Sequence, residues 1–179
     1  TYTCDCNRQR IAELGGLYDG HCRQREVSSE SAIRLRLPDR DSDSEITFDD
    51  LIMGPYRQNL NSDVGDFVIK RRDGLISYQL AVTVDDYFQR VSHIIRGADL
   101  LDSTPRQLYL QRCLGFFSAD TAPMQYAHVP LAINAEGQKL SKQNHAPAVI
   151  SGSESKSLWQ ALKWLQQAPP SELQSDSVD

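Results

Sequence analysis

Apolar and polar residues alternate in the first part of the chain, which is the spacing of half-buried strands. Residues 31–37 (SAIRLRL) alternate apolar and charged side chains and predict one strand. Residues 45–56 (EITFDDLIMGPY) predict a strand, a turn and a second strand, with Gly54-Pro55 as the turn signal. Residues 67–70 (FVIK) predict a further short strand. The acidic residues 38–44, which include Pro and Ser, are interpreted as a loop.

A helical period replaces the alternation in two later segments, residues 77–88 and 104–115. In the first segment the apolar positions recur at i, i+4 and i+7, namely Leu80, Val84 and Tyr87. The second segment carries the terminal signals of a helix: Thr104 as its cap, Pro105 at the first helical position and Gly115 at its end. Residues 157–166 predict an amphipathic helix, and the Pro-, Ser- and Asp-rich residues from 169 onward predict a disordered tail.

Short strands predicted at residues 92–96 and 127–133 alternate with the helices. From residue 67 the order is therefore strand, helix, strand, helix, strand, which predicts an α/β fold with a parallel sheet. We divide the chain by this pattern into four regions: a small β-rich module at 1–66, an α/β domain at 67–150, a C-terminal helix at 151–168 and a disordered tail at 169–179.

The composition argues against a membrane protein and against a protein that holds nucleic acid by bulk charge. The 179-residue chain is 40% hydrophobic, and no apolar run approaches the ~20 residues that a membrane helix needs. Its net charge is −5, whereas a protein that binds nucleic acid through bulk electrostatics usually has a basic excess. Any RNA contact is then local, at Lys70-Arg71-Arg72 or at Arg106 and Arg112, although solvated surface charge is the simpler interpretation of each patch.

Three of the four cysteines, Cys4, Cys6 and Cys22, lie close together near the start of the chain. A secreted disulfide framework would distribute an even set of cysteines along a short chain. The cluster instead indicates a structural metal site, typically zinc, in a reducing cytoplasm. The fourth cysteine, Cys113, lies within an apolar helical pattern and is interpreted as a buried core thiol.

A structural zinc site needs a fourth ligand, and Tyr18, Asp19 and His21 are the candidates. Generic chemistry favours His21, because imidazole is a common zinc ligand and phenolate is a rare one. Adjacent side chains diverge, however, whereas Tyr18 lies four residues before Cys22 and shares its side of a helical turn. The alternative is three reduced thiols without a metal.

A cationic loop, Gly137-Gln-Lys-Leu-Ser-Lys-Gln143, follows the predicted strand at 127–133. Its two lysines, Lys139 and Lys142, are three residues apart. Preorganised ammonium groups stabilise the charge that develops on phosphates when an adenylate forms and pyrophosphate leaves, and these two lysines could reach the phosphates. The tetrapeptide alone is weak support, because solvated loops account for most such sequences.

These segments together resemble the glutamyl-type class I tRNA synthetases. KLSK after a strand is similar to the KMSKS signature, and residues 67–116 resemble the second half of a glutamyl-type catalytic domain. Ordinary glutamyl enzymes have RGEDH and KLSKR where this chain has RGADL and KLSKQNHAP. These differences, together with CxC…YDGHC, resemble the glutamyl-Q tRNA(Asp) synthetase family.

The resemblance implies a fold, substrates and site residues. The fold is the second half of a Rossmann-type parallel sheet with a small β-rich, zinc-containing insertion domain. The substrates are L-glutamate, activated with ATP and Mg²⁺ without tRNA, and the queuosine base in the anticodon of tRNA(Asp). The implied residues are Cys4, Cys6, Tyr18 and Cys22 as ligands of one structural zinc ion, Tyr78 and Arg96 as glutamate contacts, Lys142 for ATP, and Lys139 with Lys142 in catalysis.

The resemblance also implies that a HIGH motif precedes Thr1, so we expect this chain to be a fragment that is inactive alone. We further expect a monomer without a membrane partner. Two alternatives remain: a fragment of an ordinary glutamyl- or glutaminyl-tRNA synthetase, and a non-catalytic, zinc-dependent binding module.

Overall fold

The structure is a computed structural model that describes residues 1–27, 30–116, 124–141, 148 and 150–174. It divides into two compact units, Thr1–His128 and Val129–Asp179. Within the described ranges, no helix is long and apolar enough to cross a membrane.

A three-stranded antiparallel sheet carries the N-terminal part of the first unit. Its strands are β1 (Tyr2–Cys4), β2 (Ala32–Leu35) and β5 (Phe67–Lys70), in the order β1-β2-β5. The predicted strands at 31–37 and 67–70 are confirmed. The prediction that 67–70 belongs to a parallel sheet is wrong, because β5 pairs antiparallel with β2. Strand order along a chain does not by itself fix which strands pair.

The second sheet is mixed, and it contains the hairpin that the sequence pattern assigned to the N-terminal module. Its strands are β3 (Glu45–Asp50), β4 (Gly54–Asn59), β6 (His93–Gly97) and β7 (Gln125–Val129), in the order β4-β3-β7-β6. β3 and β4 are antiparallel, whereas β3 and β7 are parallel, with Asp50 opposite Tyr126. The expected parallel sheet is therefore corrected to a mixed α/β sheet.

Strands β6 and β7 run in the same direction. The backbone N–H of Gln125, at the start of β7, donates to the carbonyl of Ser92, just before β6, at 2.9 Å. The penultimate residues of the two strands, Arg96 and His128, are joined by a side-chain contact. Three neighbouring strands, β3, β7 and β6, therefore end at the same edge of the sheet.

The short helices are α1 (Arg8–Glu13), α2 (Asp41–Ser44) and α3 (Leu60–Asp63), and the long ones are α4 (Tyr78–Phe88), α5 (Thr104–Leu114) and α6 (Glu154–Trp164). α2 lies in the segment predicted as a loop. The predictions for 77–88 and 104–115 are confirmed. Ser77 caps α4 by accepting from the N–H of Leu80 at 3.4 Å. Gly115 ends α5 in the left-handed conformation, with φ +69°.

Two predictions for α5 are wrong. Thr104 is the first helical residue rather than the cap, and its hydroxyl accepts a hydrogen bond from Arg96 instead. Cys113 is exposed rather than buried. It lies nine residues after the buried Thr104, about half a turn around the helix from it, so it faces away from the side that packs.

The main core lies between the sheets and α5. It consists of the buried side chains Leu35, Leu37, Ile46, Leu60, Phe67 and Leu110. The predicted strand at 127–133 ends early, at Val129, because Pro130 has no N–H to donate to a neighbouring strand. In the second unit, the residues predicted to be disordered include Ser171–Gln174, which form a 3-10 turn. Residues 175–179 lie outside the described ranges.

Asp66 joins the N-terminal segment to the three-stranded sheet. Its carboxylate is buried and accepts two hydrogen bonds from Arg23, at 2.6 and 2.7 Å, one from the backbone of Leu37 and one from the hydroxyl of Tyr2. Burial raises the pKa of Asp66, but these donors outweigh it and hold the pKa below its ordinary value.

We expect Asp66→Asn to lower the free energy of unfolding by about 3 kcal/mol near neutral pH, because Arg23 loses its buried counter-charge. The folded pKa is depressed, so this stabilisation is complete above the unfolded value of about 4 and is lost as the pH falls below it. Urea unfolding of both proteins at several pH values measures the difference. If the difference in unfolding free energy between the two proteins grew as the pH fell, Asp66 would not be the stabilising carboxylate.

Gly65→Ala is expected to lower the free energy of unfolding by about 2–4 kcal/mol, combining backbone strain with overpacking. Gly65 has φ +70°, and an added Cβ would lie 2.6 Å from the carbonyl oxygen of Tyr18. Gly15→Ala is the matched control, because Gly15 has φ +73° with nothing within 4 Å of an added Cβ. Equal losses for the two variants in thermal unfolding would show that the close approach to Tyr18 is unimportant.

Candidate functional site

Three strands of the mixed sheet each place a polar side chain at their common edge. Asp50 is the last residue of β3, His128 is the penultimate residue of β7 and Arg96 is the penultimate residue of β6. The carboxyl ends of parallel strands are where α/β sheets bind their ligands. This edge is therefore the first place to look for a substrate site.

Asp50 and His128 form a buried pair. The Nδ1 of His128 lies 2.6 Å from Oδ2 of Asp50, and the backbone N–H of His128 donates to Oδ1 at 3.0 Å. Asp50 also accepts from the backbone N–H groups of Ile52 and Met53. Burial raises the pKa of Asp50, but the bonds from Met53, His128 and Ile52 outweigh it and lower the pKa below its ordinary value. Asp50 is therefore a buried carboxylate with its charge compensated by donors.

His128 connects this carboxylate to Arg96. The Nε of Arg96 donates to Nε2 of His128 at 3.0 Å. Nε2 must therefore accept, so the imidazole carries its proton on Nδ1 and donates it to Asp50. The Nη2 of Arg96 donates to Oγ1 of Thr104 at 2.8 Å and to Oε1 of Gln107 at 2.9 Å. Two of the three guanidinium nitrogens are thus held by buried groups.

The third nitrogen of Arg96 faces the accessible side of the site. Within the described residues, Nη1 has one hydrogen-bond contact, the hydroxyl of Tyr78 at 3.5 Å. Tyr78 is the first residue of α4 and is half exposed. A guanidinium edge beside a phenol can take a carboxylate and hydrogen-bond a polar substrate group. The structure thus brings together the two residues that the resemblance implies for glutamate, Tyr78 and Arg96.

Sequence reasoning missed the residues behind Arg96, namely Asp50, Gln79, Thr104, Gln107 and His128. Gln79 belongs to the same network, because its Oε1 accepts from Gln107 at 2.9 Å and its Nε2 donates to Ser103 at 3.0 Å. A usable signal was present: a polar residue at or next to the end of a strand, in both ITFDD and YAHV.

The cysteine cluster forms a second constellation, in the N-terminal segment. The sulfurs of Cys4, Cys6 and Cys22 all lie within 4.8 Å of one another. The hydroxyl of Tyr18 is 3.5 Å from the sulfur of Cys4 and 4.0 Å from that of Cys6. A tetrahedral zinc ion with Zn–S distances of about 2.3 Å separates two sulfurs by about 3.8 Å and a sulfur from an oxygen by about 3.5 Å. The separations of 3.5 and 4.0 Å lie near these values, so the four side chains could hold a zinc ion, whereas the side chain of His21 is exposed.

Arg34 supports this cluster from the adjacent strand β2. Its Nε donates to the sulfur of Cys4 at 3.2 Å, and its guanidinium lies 3.8 Å from the ring centre of Tyr18. Burial raises the pKa of Cys4, but its hydrogen bonds with Tyr18 and Arg34 lower it to about 7. Burial and the neighbouring Cys22 raise the pKa of Cys6 to about 11. The thiol of Cys4 therefore ionises more readily than an ordinary thiol, and the thiolate is the form that binds metal.

The cationic loop belongs to the second unit. Lys139 is exposed on the returning arm of a tight hairpin, where it pairs with Ile133 and Gly137 adopts φ +77° at the turn. Lys142 lies outside the described residues, so its predicted role in ATP binding stays a prediction, as does the catalytic role of Lys139.

Comparisons with known proteins agree with this architecture. Residues 6–166 match the family described as tRNA synthetases class I (E and Q), catalytic domain. Two crystal structures, a glutamate-tRNA synthetase from Elizabethkingia anophelis and a glutamate tRNA ligase from Elizabethkingia meningosepticum, superpose with a TM-score of 0.59 at 26% identity. They cover 80% and 79% of this chain, which spans 32% of each. The chain therefore belongs to the class I tRNA synthetase family of the glutamyl and glutaminyl type.

Among curated proteins, the chain is similar to glutamyl-Q tRNA(Asp) synthetases, which confirms the resemblance stated above. It is 47% identical over 174 residues to that of Ectopseudomonas mendocina and 44% identical over 179 residues to that of Klebsiella pneumoniae. The matches cover 97% and 100% of this chain but 56% and 58% of the relatives. The chain thus spans little more than half the length of these relatives.

We expect the protein to bind one zinc ion, and Tyr18→Phe to weaken its binding because a donor oxygen is lost from the cluster. His21→Ala is the control, because His21 is the fourth ligand that generic zinc chemistry favours. This substitution should leave the affinity for zinc unchanged. Competition with a chromogenic chelator measures both. Removal of the metal should unfold residues 1–25, seen as loss of amide protection there, and leave the mixed sheet folded. If His21→Ala released the zinc ion and Tyr18→Phe did not, His21 would be the fourth ligand instead of Tyr18.

Proposed function

We propose that the protein containing this chain is a glutamyl-Q tRNA(Asp) synthetase. It activates L-glutamate with ATP and Mg²⁺ in the absence of tRNA, and transfers the glutamyl group to queuosine in the anticodon of tRNA(Asp). The observation that carries the proposal is the anchored guanidinium of Arg96, whose Nη1 faces the accessible side beside Tyr78. One structural relative was solved in complex with its amino acid, which supports an amino-acid site in this fold.

In this proposal Arg96 binds a carboxylate of glutamate, and Tyr78 hydrogen-bonds the same substrate. Arginine suits this role, because its planar fork matches a carboxylate and it remains charged at every physiological pH. Lys142 binds ATP, and Lys139 and Lys142 stabilise the charge on the phosphates as pyrophosphate leaves. Cys4, Cys6, Tyr18 and Cys22 hold one structural zinc ion, which fixes the fold of the N-terminal segment and takes no part in the reaction. The boundary expected between residues 66 and 67 does not follow the sheets, because β3 and β4 share a sheet with β6 and β7, and β5 pairs with β2.

The competing function is that of an ordinary glutamyl-tRNA synthetase, which acts on the 3′ end of its tRNA. Ala98 and Leu100 in RGADL, and Gln143 in KLSKQ, favour the glutamyl-Q branch. The assay is transfer of labelled glutamate to tRNA(Asp) prepared from cells with and without queuosine, using the complete protein. Label only on the queuosine-containing tRNA is the expected result. Label that survives removal of queuosine and is released from the 3′ end would replace our proposal with the ordinary activity.

Arg96→Ala is expected to raise the KM for glutamate in ATP–pyrophosphate exchange without tRNA. The loss of a charge-assisted contact costs about 2 kcal/mol, which corresponds to roughly thirtyfold. Arg112→Ala is the matched control, because Arg112 is an exposed arginine near the end of α5 and is not among the residues that hold Arg96 in the described part of the chain. An equal effect of the two substitutions would remove Arg96 from the glutamate site.

A further inference from the structure

Asp50 and His128 are too deeply buried to meet a substrate. Asp50 is 4% exposed and His128 is fully buried, and Arg96 lies between them and the accessible side of the site. Burying a carboxylate and an imidazole costs free energy unless every polar atom is paired. Both oxygens of Asp50 and both ring nitrogens of His128 are paired here. Together, Asp50 and His128 present a hydrogen-bond acceptor, Nε2 of His128, to Arg96.

A planar guanidinium is fully oriented once two of its nitrogens are held. Nε of Arg96 is held by His128, and Nη2 is held by Thr104 and Gln107. The direction of Nη1 is then set before any substrate arrives. An arginine side chain carries rotamer freedom that is lost on binding, so holding it in advance improves affinity.

We propose that Asp50 and His128 are positioning residues for the substrate carboxylate, acting through the orientation of Arg96. Asp50 fixes the tautomer of His128, and His128 in that tautomer accepts from Nε of Arg96. The inference rests on the proposed function, since it takes Arg96 as the glutamate contact.

Two substitutions at one position separate orientation from simple filling of space. In His128→Asn, the amide nitrogen replaces Nδ1 and still donates to Asp50, but no atom accepts from Arg96. In His128→Gln, the amide oxygen reaches the place of Nε2 and restores the acceptor. The experiment is glutamate-dependent ATP–pyrophosphate exchange by the complete protein, with calorimetric titration of L-glutamate as a second readout.

We expect His128→Asn to raise the KM and the Kd for glutamate about tenfold, the effect of one lost hydrogen bond to a charged group, and to leave the KM for ATP unchanged. His128→Gln should recover most of this loss. Equal effects of the two variants, or a parallel rise in the KM for ATP, would show a structural role only and overturn the proposal.

Asp50→Asn tests the same chain of contacts from its other end and remains informative if the His128→Asn protein fails to fold. The amide oxygen of the substituted side chain can still accept from the backbone of Ile52 and Met53, while its nitrogen donates to Nδ1 of His128. The imidazole proton must then move to Nε2, where it opposes Arg96. The expected result is again about a tenfold rise in the KM for glutamate.

The two proposals fail in different ways. If the unsubstituted protein shows no glutamate-dependent exchange, the proposed function is wrong and this inference is wrong with it. If exchange is present, but Asp50→Asn and His128→Asn leave the KM for glutamate unchanged, the inference alone is wrong.

Discussion

The parallel contact between β3 and β7 is the constraint on which the candidate site depends. It brings the buried carboxylate of Asp50 against His128, and His128 in turn reaches Arg96 on the next strand, β6. Asp50 accepts a hydrogen bond from His128, and His128 accepts one from Arg96. The free-energy cost of burying the charge of Asp50 is thus offset within the same network of hydrogen bonds that orients the guanidinium of Arg96. Stability and the proposed recognition of the ligand thus depend on one set of contacts.

The elements of this fold were largely predictable, because each depends on local chemistry. The alternation in EITFDD, the capping Ser77 and the terminal Gly115 all act within a few residues of themselves. Strand pairing depends on distant residues, and for this reason the pattern does not show that β5 pairs with β2. Cys113 was misassigned for a related reason: an apolar neighbour such as Leu110 does not show which side of a helix meets the core.

The candidate site also has a part that could be predicted from the sequence and a part that could not. Tyr78 and Arg96 follow from a family resemblance, and the structure brings them to 3.5 Å. The contacts from His128, Thr104 and Gln107 that hold Arg96 do not follow from the resemblance. Those residues look like ordinary strand and helix positions until the pairing of the strands is known. In the cysteine cluster, spacing leaves Tyr18 and His21 open. Burial separates them, since Tyr18 is 5% exposed and its hydroxyl lies beside two of the sulfurs.

The distance along the chain between Asp50 and His128 also has a consequence for folding. The hairpin of β3 and β4 closes a turn of a few residues, whereas Asp50 and His128 are 78 residues apart. Closing a loop of that length costs about 4 kcal/mol of chain entropy, far more than closing the hairpin. During synthesis, β3 and β4 can pair long before residue 128 has left the ribosome, but Arg96 cannot be oriented until then. The edge that carries the candidate site is therefore among the last parts of the sheet to form.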